Sequence, residues 1–378
     1  MPTYLDNSST TPPDPELLPY LEELFFRKDF LSNPSAMHSS GRKAASLVRK
    51  AESSVQTLLQ FPSRIIFTSG ATESLNLILN SVPAGHIITS SLEHPAVIEP
   101  LKKLPSRRVS YLDPGKEECV ITPSKIEGAI SDDTVAIVLG WANSETGAKT
   151  DISSIAEIAF AKKLMLIVDA TAIVGKEKIS VPNGVTALCF SGHKMHALSG
   201  IGVLAVNPKM RLNPLLLGGG QQGNIRSGTE NILGIASLDF IARYLVENIA
   251  DVSLHLQQLR DAFEHKILEN YPGSIVHCSN ISRLPNISTI AFPPLEGEIL
   301  RAALDLHGIE ASYGTACSSG AVTAFKSLFA MGIDQEIAAS SLRFSFGRFN
   351  TLQEVKEASL LITSIATKMR DQLCNGGF

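Results

Sequence analysis

The sequence predicts an α/β protein with a mostly parallel central sheet, helices on both faces, and a smaller α+β domain beyond it. Two observations carry this. Between Arg64 and Val206, short β-branched runs alternate with helical stretches, the pattern of strands joined by crossover helices. Several of those runs are apolar almost throughout, as strands covered on both faces must be.

In order, the strand-like runs are "RIIFTS", "HIITSS", "RRVSYL", "TVAIVLGWA", "LMLIVDA", "ALCFSGH" and "GIGVLAV". From Asn231 to about Tyr271 the pattern is helical at length, through "LDFIARYLVENI" and "LHLQQLRDAFEHKIL", and leads out of the first domain. The remainder sets "SIVHCS", "NISTIAF" and "LRFSFGRF" around helical "EILRAALDLHG", a second α+β unit. No internal repeat or low-complexity tract is visible.

Composition narrows the function. The 378 residues are 44% apolar and 19% charged, an ordinary globular balance rather than a disordered one. A net charge of −4 offers no broad basic face, so nucleic acid is not expected as a partner. The opening "MPTYLDNSSTTPPDP" has neither a basic region nor an apolar core of a secretory signal, and no apolar run is long enough to span a membrane. The five cysteines, Cys119, Cys189, Cys278, Cys317 and Cys374, show no metal-ligand pairing and no disulfide framework, which fits a reducing cytoplasm.

Three stretches could do chemistry. "FTSGATES" runs from a strand through small residues into a helix start, where free N–H groups bind anions; Thr72 could add a hydroxyl to a phosphate. By themselves these residues read more simply as a plain helix start, with Glu73 favoured by the dipole. In "LIVDAT", Asp169 ends a run too apolar for a surface strand, so it needs a cationic or hydrogen-bonding partner or caps the next turn. In "CFSGHKM", Lys194 follows a buried strand, with Ser191 and His193 before it. A lysine whose pKa is depressed there can form a Schiff base with an aldehyde. Phosphate cup, carboxylate and lysine, each at a strand end, compose a pyridoxal 5'-phosphate (PLP) site, the carboxylate keeping the ring nitrogen protonated.

The words "YLDNSSTTPPDP", "NPSAMHSSG", "FTSGATESLN", "EHPAV", "ANSETG", "VDAT", "SGHKM", "GGGQQGNIRSGTEN", "GTACSSG" and "SSLRFSFGRF" occur in one order. Over nearly its whole length the sequence thereby resembles the class V aminotransferase-like PLP enzymes of fold type I, and specifically the cysteine desulfurases. The resemblance implies a large PLP-binding domain over residues 14–250. Residues 1–13 and 251–378 would form a small domain carrying the catalytic cysteine loop. Lys194 would hold PLP covalently and Asp169 would pair with its ring nitrogen. His94 would stack on the ring and shuttle protons. Ala71, Thr72, Ser191 and His193 would cup the phosphate, and Thr229 would reach the phosphate of the other subunit in a homodimer. Asn143 and Arg343 would orient the substrate, Arg343 through a bidentate grip on its carboxylate, with Asn33 bordering the same cleft.

Cys317, in a Gly-flanked loop of small polar residues, would be the sulfur acceptor. An unperturbed thiol of pKa about 8.5 is only a few per cent thiolate at neutral pH, so a proton acceptor or a nearby positive charge would assist it. The implied reaction converts L-cysteine to L-alanine and leaves a persulfide on Cys317. That sulfur would go to an acceptor or iron–sulfur scaffold protein, or to another thio-cofactor. A selenocysteine lyase, or a scaffold protein that keeps the fold without the activity, are the alternative expectations. Three positions depart from the family pattern. Ala172 stands where a glutamine usually donates to the cofactor's phenolic oxygen. Ala197–Gly200 replaces a turn containing a lysine, and Gly223 replaces a basic residue.

Overall fold

The computed structural model describes residues 2–26, 32–104, 108–115, 117–316, 322–323 and 325–375. All seven anticipated strands form one sheet: β1 (Arg64–Thr68), β2 (His86–Ser90), β3 (Arg108–Leu112), β4 (Thr134–Gly140), β5 (Met165–Asp169), β6 (Val185–Ser191) and β7 (Gly202–Val206). They lie in the order β1-β7-β6-β5-β4-β2-β3. Neighbours are parallel from β6 to β3, while β7 runs antiparallel to both β6 and β1. The reason is the connection. Between Ser191 and Gly202 the chain makes only one short 3-10 turn, Gly192–Lys194, and a link without a crossover helix returns antiparallel.

Every residue of β2 and β7 is buried, because both faces of the sheet are covered. Alternate side chains of each strand enter opposite cores. Ile65, Phe67, Leu188 and Phe190 face one, which includes the long helix; Ile66, Ile87, Cys189 and Leu204 face the other, beneath helices Ala71–Leu79 and Pro95–Lys103.

One helix runs unbroken from Ile232 to Asn270, 39 residues and roughly 58 Å at 1.5 Å per residue. Asn231 caps its start by accepting the Gly234 N–H at 3.0 Å. Residue 250, the expected domain boundary, lies inside this helix, which packs on helices Ser39–Leu59 and Leu352–Asn375. Beyond it stands an antiparallel sheet of β8 (Ile275–Val276), β9 (Ile287–Ala291) and β10 (Ser341–Ser345), ordered β10-β9-β8.

The N-terminal segment ties the layers together. Thr3–Tyr4 pairs in parallel with Ile309–Glu310, and Asp6 bridges to Ser345 on β10. The chain then crosses to the turn after β6, where Thr11 N–H donates to His193 O at 2.9 Å and Asp14 N–H to His196 O at 3.0 Å.

At the tip of the β1–β7 pair, Gly202 lies directly against the Gly70 backbone, and a Cβ there would overlap Gly70 main-chain atoms. Gly202→Ala is therefore expected to lower the unfolding free energy by about 1–3 kcal/mol, the usual range for overpacking. Denaturant titration checks this; unchanged stability would show that the turn yields freely.

Candidate active site

The carboxyl ends of the parallel strands open into a cavity of about 250 Å³, lined by residues from seven separate stretches of chain. This is where an open α/β sheet offers its ligand site. Among its walls are Ala71, Thr72, His94, Asn143, Asp169, Ser191, His193 and Lys194. Eight of the residues anticipated from sequence are thus brought together.

Lys194 sits in the short turn after β6, and its Nζ donates to the carbonyl oxygens of Ser8 at 2.5 Å and Ser9 at 2.6 Å. Burial lowers its pKa to about 8, helped by Arg343 and opposed by Asp6 and Asp169. Among the described residues no carboxylate pairs with this amine, and with a pKa of about 8 roughly a tenth of it is neutral at pH 7, a far larger share than for an ordinary lysine.

Asp169 ends β5, and its Oδ1 accepts the Thr171 N–H at 2.9 Å. His94 caps helix Pro95–Lys103, its Nδ1 accepting the Ala96 N–H at 3.0 Å. An accepting Nδ1 leaves the ring proton on Nε2. Burial holds the His94 pKa below the usual histidine value, with Asp169 opposing and Lys194 reinforcing. The imidazole is therefore neutral and exchanges its proton through Nε2 alone.

The anion cup forms where β1 enters helix Ala71–Leu79. Ser191 Oγ accepts the Ala71 N–H at 2.8 Å and so joins the ends of β6 and β1. The helix start is held from outside by Glu73, which accepts from Arg226 at 2.9 and 3.3 Å and from the Ser69 N–H at 2.7 Å. His193 Nδ1 lies 3.0 Å from Thr10 Oγ1.

Two expected substrate groups are engaged with protein. Asn143 Nδ2 donates to Ser327 Oγ at 2.9 Å, while its Oδ1 accepts the Glu145 and Thr146 N–H groups at 3.0 and 2.8 Å. It frames the loop as well as facing the cavity. Arg343, buried on β10, pairs with Asp6 at 2.7 Å and donates to Ser9 Oγ and Ser144 O, while its Nε is buried without a protein partner. Thr229 and Asn33 are exposed, and neither lines the cavity of its own chain. Cys317 lies outside the described residues.

Three further wall residues went unnoticed in the sequence. Glu93 accepts from Ser90 Oγ at 2.6 Å and the Gly140 N–H at 2.7 Å, linking the ends of β2 and β4. Burial pushes its pKa up to about 7, with the Ser90 bond opposing and Asp169 adding to the rise. Lys176 is buried, its Nζ donating to Lys194 O at 2.7 Å, and burial lowers its pKa to about 7. The Thr171 hydroxyl is buried with no protein partner. Only adjacency to His94 and Asp169 could have flagged Glu93 and Thr171. Nothing local marked Lys176.

This sheet order, with a lysine at the β6 turn and an aspartate at the neighbouring β5 end, is the fold type I arrangement of PLP-dependent enzymes. The aminotransferase class V model matches residues 3–357. A cysteine desulfurase, IscS of Pseudomonas entomophila (strain L48), is 35% identical over 387 residues, covering 98% of this chain and 94% of that protein. A solved "NifS-like protein" superposes with a TM-score of 0.88 at 30% identity, covering 97% of this chain and 100% of that one. "SspA in complex with cysteine" follows at TM-score 0.79 and 27% identity, covering 92% and 99%. The chain belongs to the class V aminotransferase family and, within it, to the cysteine desulfurases.

The residues present fit the family's cofactor. A half-buried amine of lowered pKa, a carboxylate at the end of the adjacent strand, helix-start N–H groups and an unpartnered Thr171 hydroxyl all border one cavity. Ala172 lines it too, and contributes no donor.

Because neutral amine forms as pH rises through the Lys194 pKa, covalent capture of PLP by apo-protein should grow through about pH 8 and fall away below it. Borohydride trapping across pH reads this directly. A midpoint near the ordinary lysine value of about 10.4 would contradict the buried-amine geometry.

Proposed function

We propose that the chain is a PLP-dependent cysteine desulfurase that takes sulfur from L-cysteine, releases L-alanine and carries the sulfur as a persulfide on Cys317. The observation that carries this reading is the meeting of Lys194, Asp169 and His94 in one cavity, with Lys194 lowered to about pKa 8. It is supported by relatives named as cysteine desulfurases and by a solved neighbour holding cysteine. Bound PLP supplies an electron sink for bonds at the substrate α-carbon.

The protein's own groups divide the remaining work. Asp169 holds the ring nitrogen's proton, and Ser191, Thr72 and the N–H groups of the helix start hold the phosphate, with His193 at its edge. Neutral His94 moves a proton through Nε2. Lys194 would hold the cofactor covalently and, as a half-buried amine of lowered pKa, could accept a proton at the substrate. Arg343 takes the substrate carboxylate in exchange for part of its Asp6 pairing, while Asn143 faces the same space. Asn33 borders the entrance. Cys317, in its small-residue loop, attacks the substrate sulfur.

Thr229, exposed in its own chain, completes the phosphate site of a second copy, which makes the functional unit a homodimer. Residues 14–250 form the cofactor-binding domain, and 1–13 with 251–378 form the domain that brings the cysteine loop. The sulfur then passes to an acceptor protein, for iron–sulfur clusters or another thio-cofactor. Among the described residues no helix is long and apolar enough to cross a membrane, and the reading places the enzyme in the cytoplasm.

The deciding experiment measures alanine and sulfide from cysteine under reductant, beside alanine and selenide from selenocysteine. Turnover of selenocysteine alone would assign a lyase instead. Cys317→Ser should keep the PLP absorbance and lose sulfur release by at least about a hundredfold, since catalysis through a lost nucleophile falls by orders of magnitude. Wild-type turnover in that variant would overturn the persulfide route.

Subunit mixing tests Thr229. In a heterodimer of Thr229→Ala and Lys194→Ala chains, the site with intact Lys194 borrows the unaltered Thr229 of the Lys194→Ala chain, while the other site lacks both groups. Activity should rise above that of both parent homodimers, toward half of wild type per heterodimer. Activity that stays at the level of the parents would mean that Thr229 serves its own subunit.

A further inference from the structure

Two cysteines that the proposed reaction does not use meet at the seam between the two sheets. Cys119 lies in the loop after β3, and Cys278 lies just after β8. Both belong to one small buried cluster with Phe325, Leu328 and Met331. The Cys119 thiol hydrogen-bonds the Cys278 thiol, and Cys278 Sγ lies 3.9 Å from Met331 Sδ.

The backbones around them are joined as well. Two residues before Cys119 and two after Cys278, Asn280 Nδ2 donates to Glu117 O at 3.5 Å. Both cysteines take left-handed backbone conformations, with φ of 56° and 54°, which residues bearing a Cβ rarely adopt. Two loops thus accept an unusual backbone to place two thiols side by side.

We propose that Cys119 and Cys278 form a reversible disulfide, a redox-controlled cross-link between the seven-stranded and three-stranded layers. The oxidant would be a peroxide, small enough to reach a pair that is 4% and 8% exposed. Burial is shallow here, because Glu118 and Ser279, the neighbours in sequence, are themselves exposed.

The pair is also polarised. The bond from Cys278 lowers the Cys119 pKa against its burial, while the Cys278 thiol is raised, first by that same bond and then by burial. Cys119 is therefore the nucleophile. Its thiolate attacks one peroxide oxygen, breaking the O–O bond to give a sulfenic acid and hydroxide, which takes the released proton and leaves as water. Cys278 sulfur then attacks the sulfenic sulfur, giving up its own proton to the departing hydroxyl as a second water. Two thiols lose two protons and two electrons; one peroxide becomes two waters.

The link would brace the cavity wall. Val120 and Ile121, next to Cys119, line the cavity. The chain after Cys278 bonds to the loop that carries Asn143, through Lys149 N–H to Ser282 O at 2.9 Å and Leu284 N–H to Gly147 O at 2.8 Å. Oxidation would then fix this wall to the second layer, raising the thermal midpoint in a manner that dithiothreitol reverses.

The test treats full-length protein with hydrogen peroxide in a Cys317→Ser background, which leaves four thiols of the five. The protein is then unfolded in alkylating agent and digested without reductant. Mass spectrometry should find the Cys119 peptide joined to the Cys278 peptide with two hydrogens lost, and free thiols should fall from four to two. Dithiothreitol should restore all four, and the rise in thermal midpoint should vanish with it. Cys119→Ser or Cys278→Ser should each abolish the link; should either fold poorly, the peptide map of the parent protein decides alone. Separate, alkylated Cys119 and Cys278 peptides, or Cys119 overoxidised beside an intact Cys278, would overturn the proposal.

Discussion

The site depends on an amine held by two backbone carbonyls rather than by a carboxylate. Lys194 Nζ rests on Ser8 O and Ser9 O, just beyond a strand buried almost throughout. Carbonyl dipoles satisfy two of its donors without fixing its charge, so burial prevails and the pKa falls to about 8. A carboxylate in the same place would have kept the ammonium charged. Three constraints make the arrangement possible. The link after β6 is too short for a crossover helix, β7 therefore returns antiparallel, and Gly202 lets the Gly70 turn close over it.

Charge is distributed around this amine with the same economy. His94 spends Nδ1 on its helix cap and keeps one nitrogen for exchange. Glu93 spends both oxygens joining β2 to β4, and its pKa near 7 follows from burial beside Asp169. Lys176 sits under the lysine turn, bonded to its backbone at Lys194 O, and is also lowered to about 7. Several titrating groups thus share one small volume with pKa values drawn toward neutrality, as expected where protons must move.

Much of this was legible in the sequence because period and punctuation are local. The seven apolar runs became the seven strands, and the long helix spans Ile232–Asn270 against an expectation of Asn231 to about Tyr271. Asp169 and Lys194 were found because each ends or follows a strand, and His94 was implied by the family resemblance that "EHPAV" helps to carry. The antiparallel return of β7 was less visible, since it follows from the length of a connection rather than from any residue pattern. Arg343 was expected, from the resemblance, to grip the substrate carboxylate; its pairing with Asp6, 337 positions away, was not visible in the sequence. Lys176 reaches the site through a backbone turn that no periodicity announces. Long-range partners of this kind are set by topology, and a chain read one window at a time does not display them.

The N-terminal strap has a temporal consequence. Ser8 and Ser9 hold the lysine, and Asp6 pairs with Arg343, which sits on the strand that Asp6 and Asn7 bond at Ser345. Asp6 must therefore wait for a residue made 337 positions later before it finds its place. Synthesis at roughly 5–20 residues per second leaves the strap without its β10 partner for tens of seconds, while the seven-stranded layer can already assemble. The pocket is thus completed only once β10 has been made, and until then a nascent chain can present a folded sheet with an unlatched lysine.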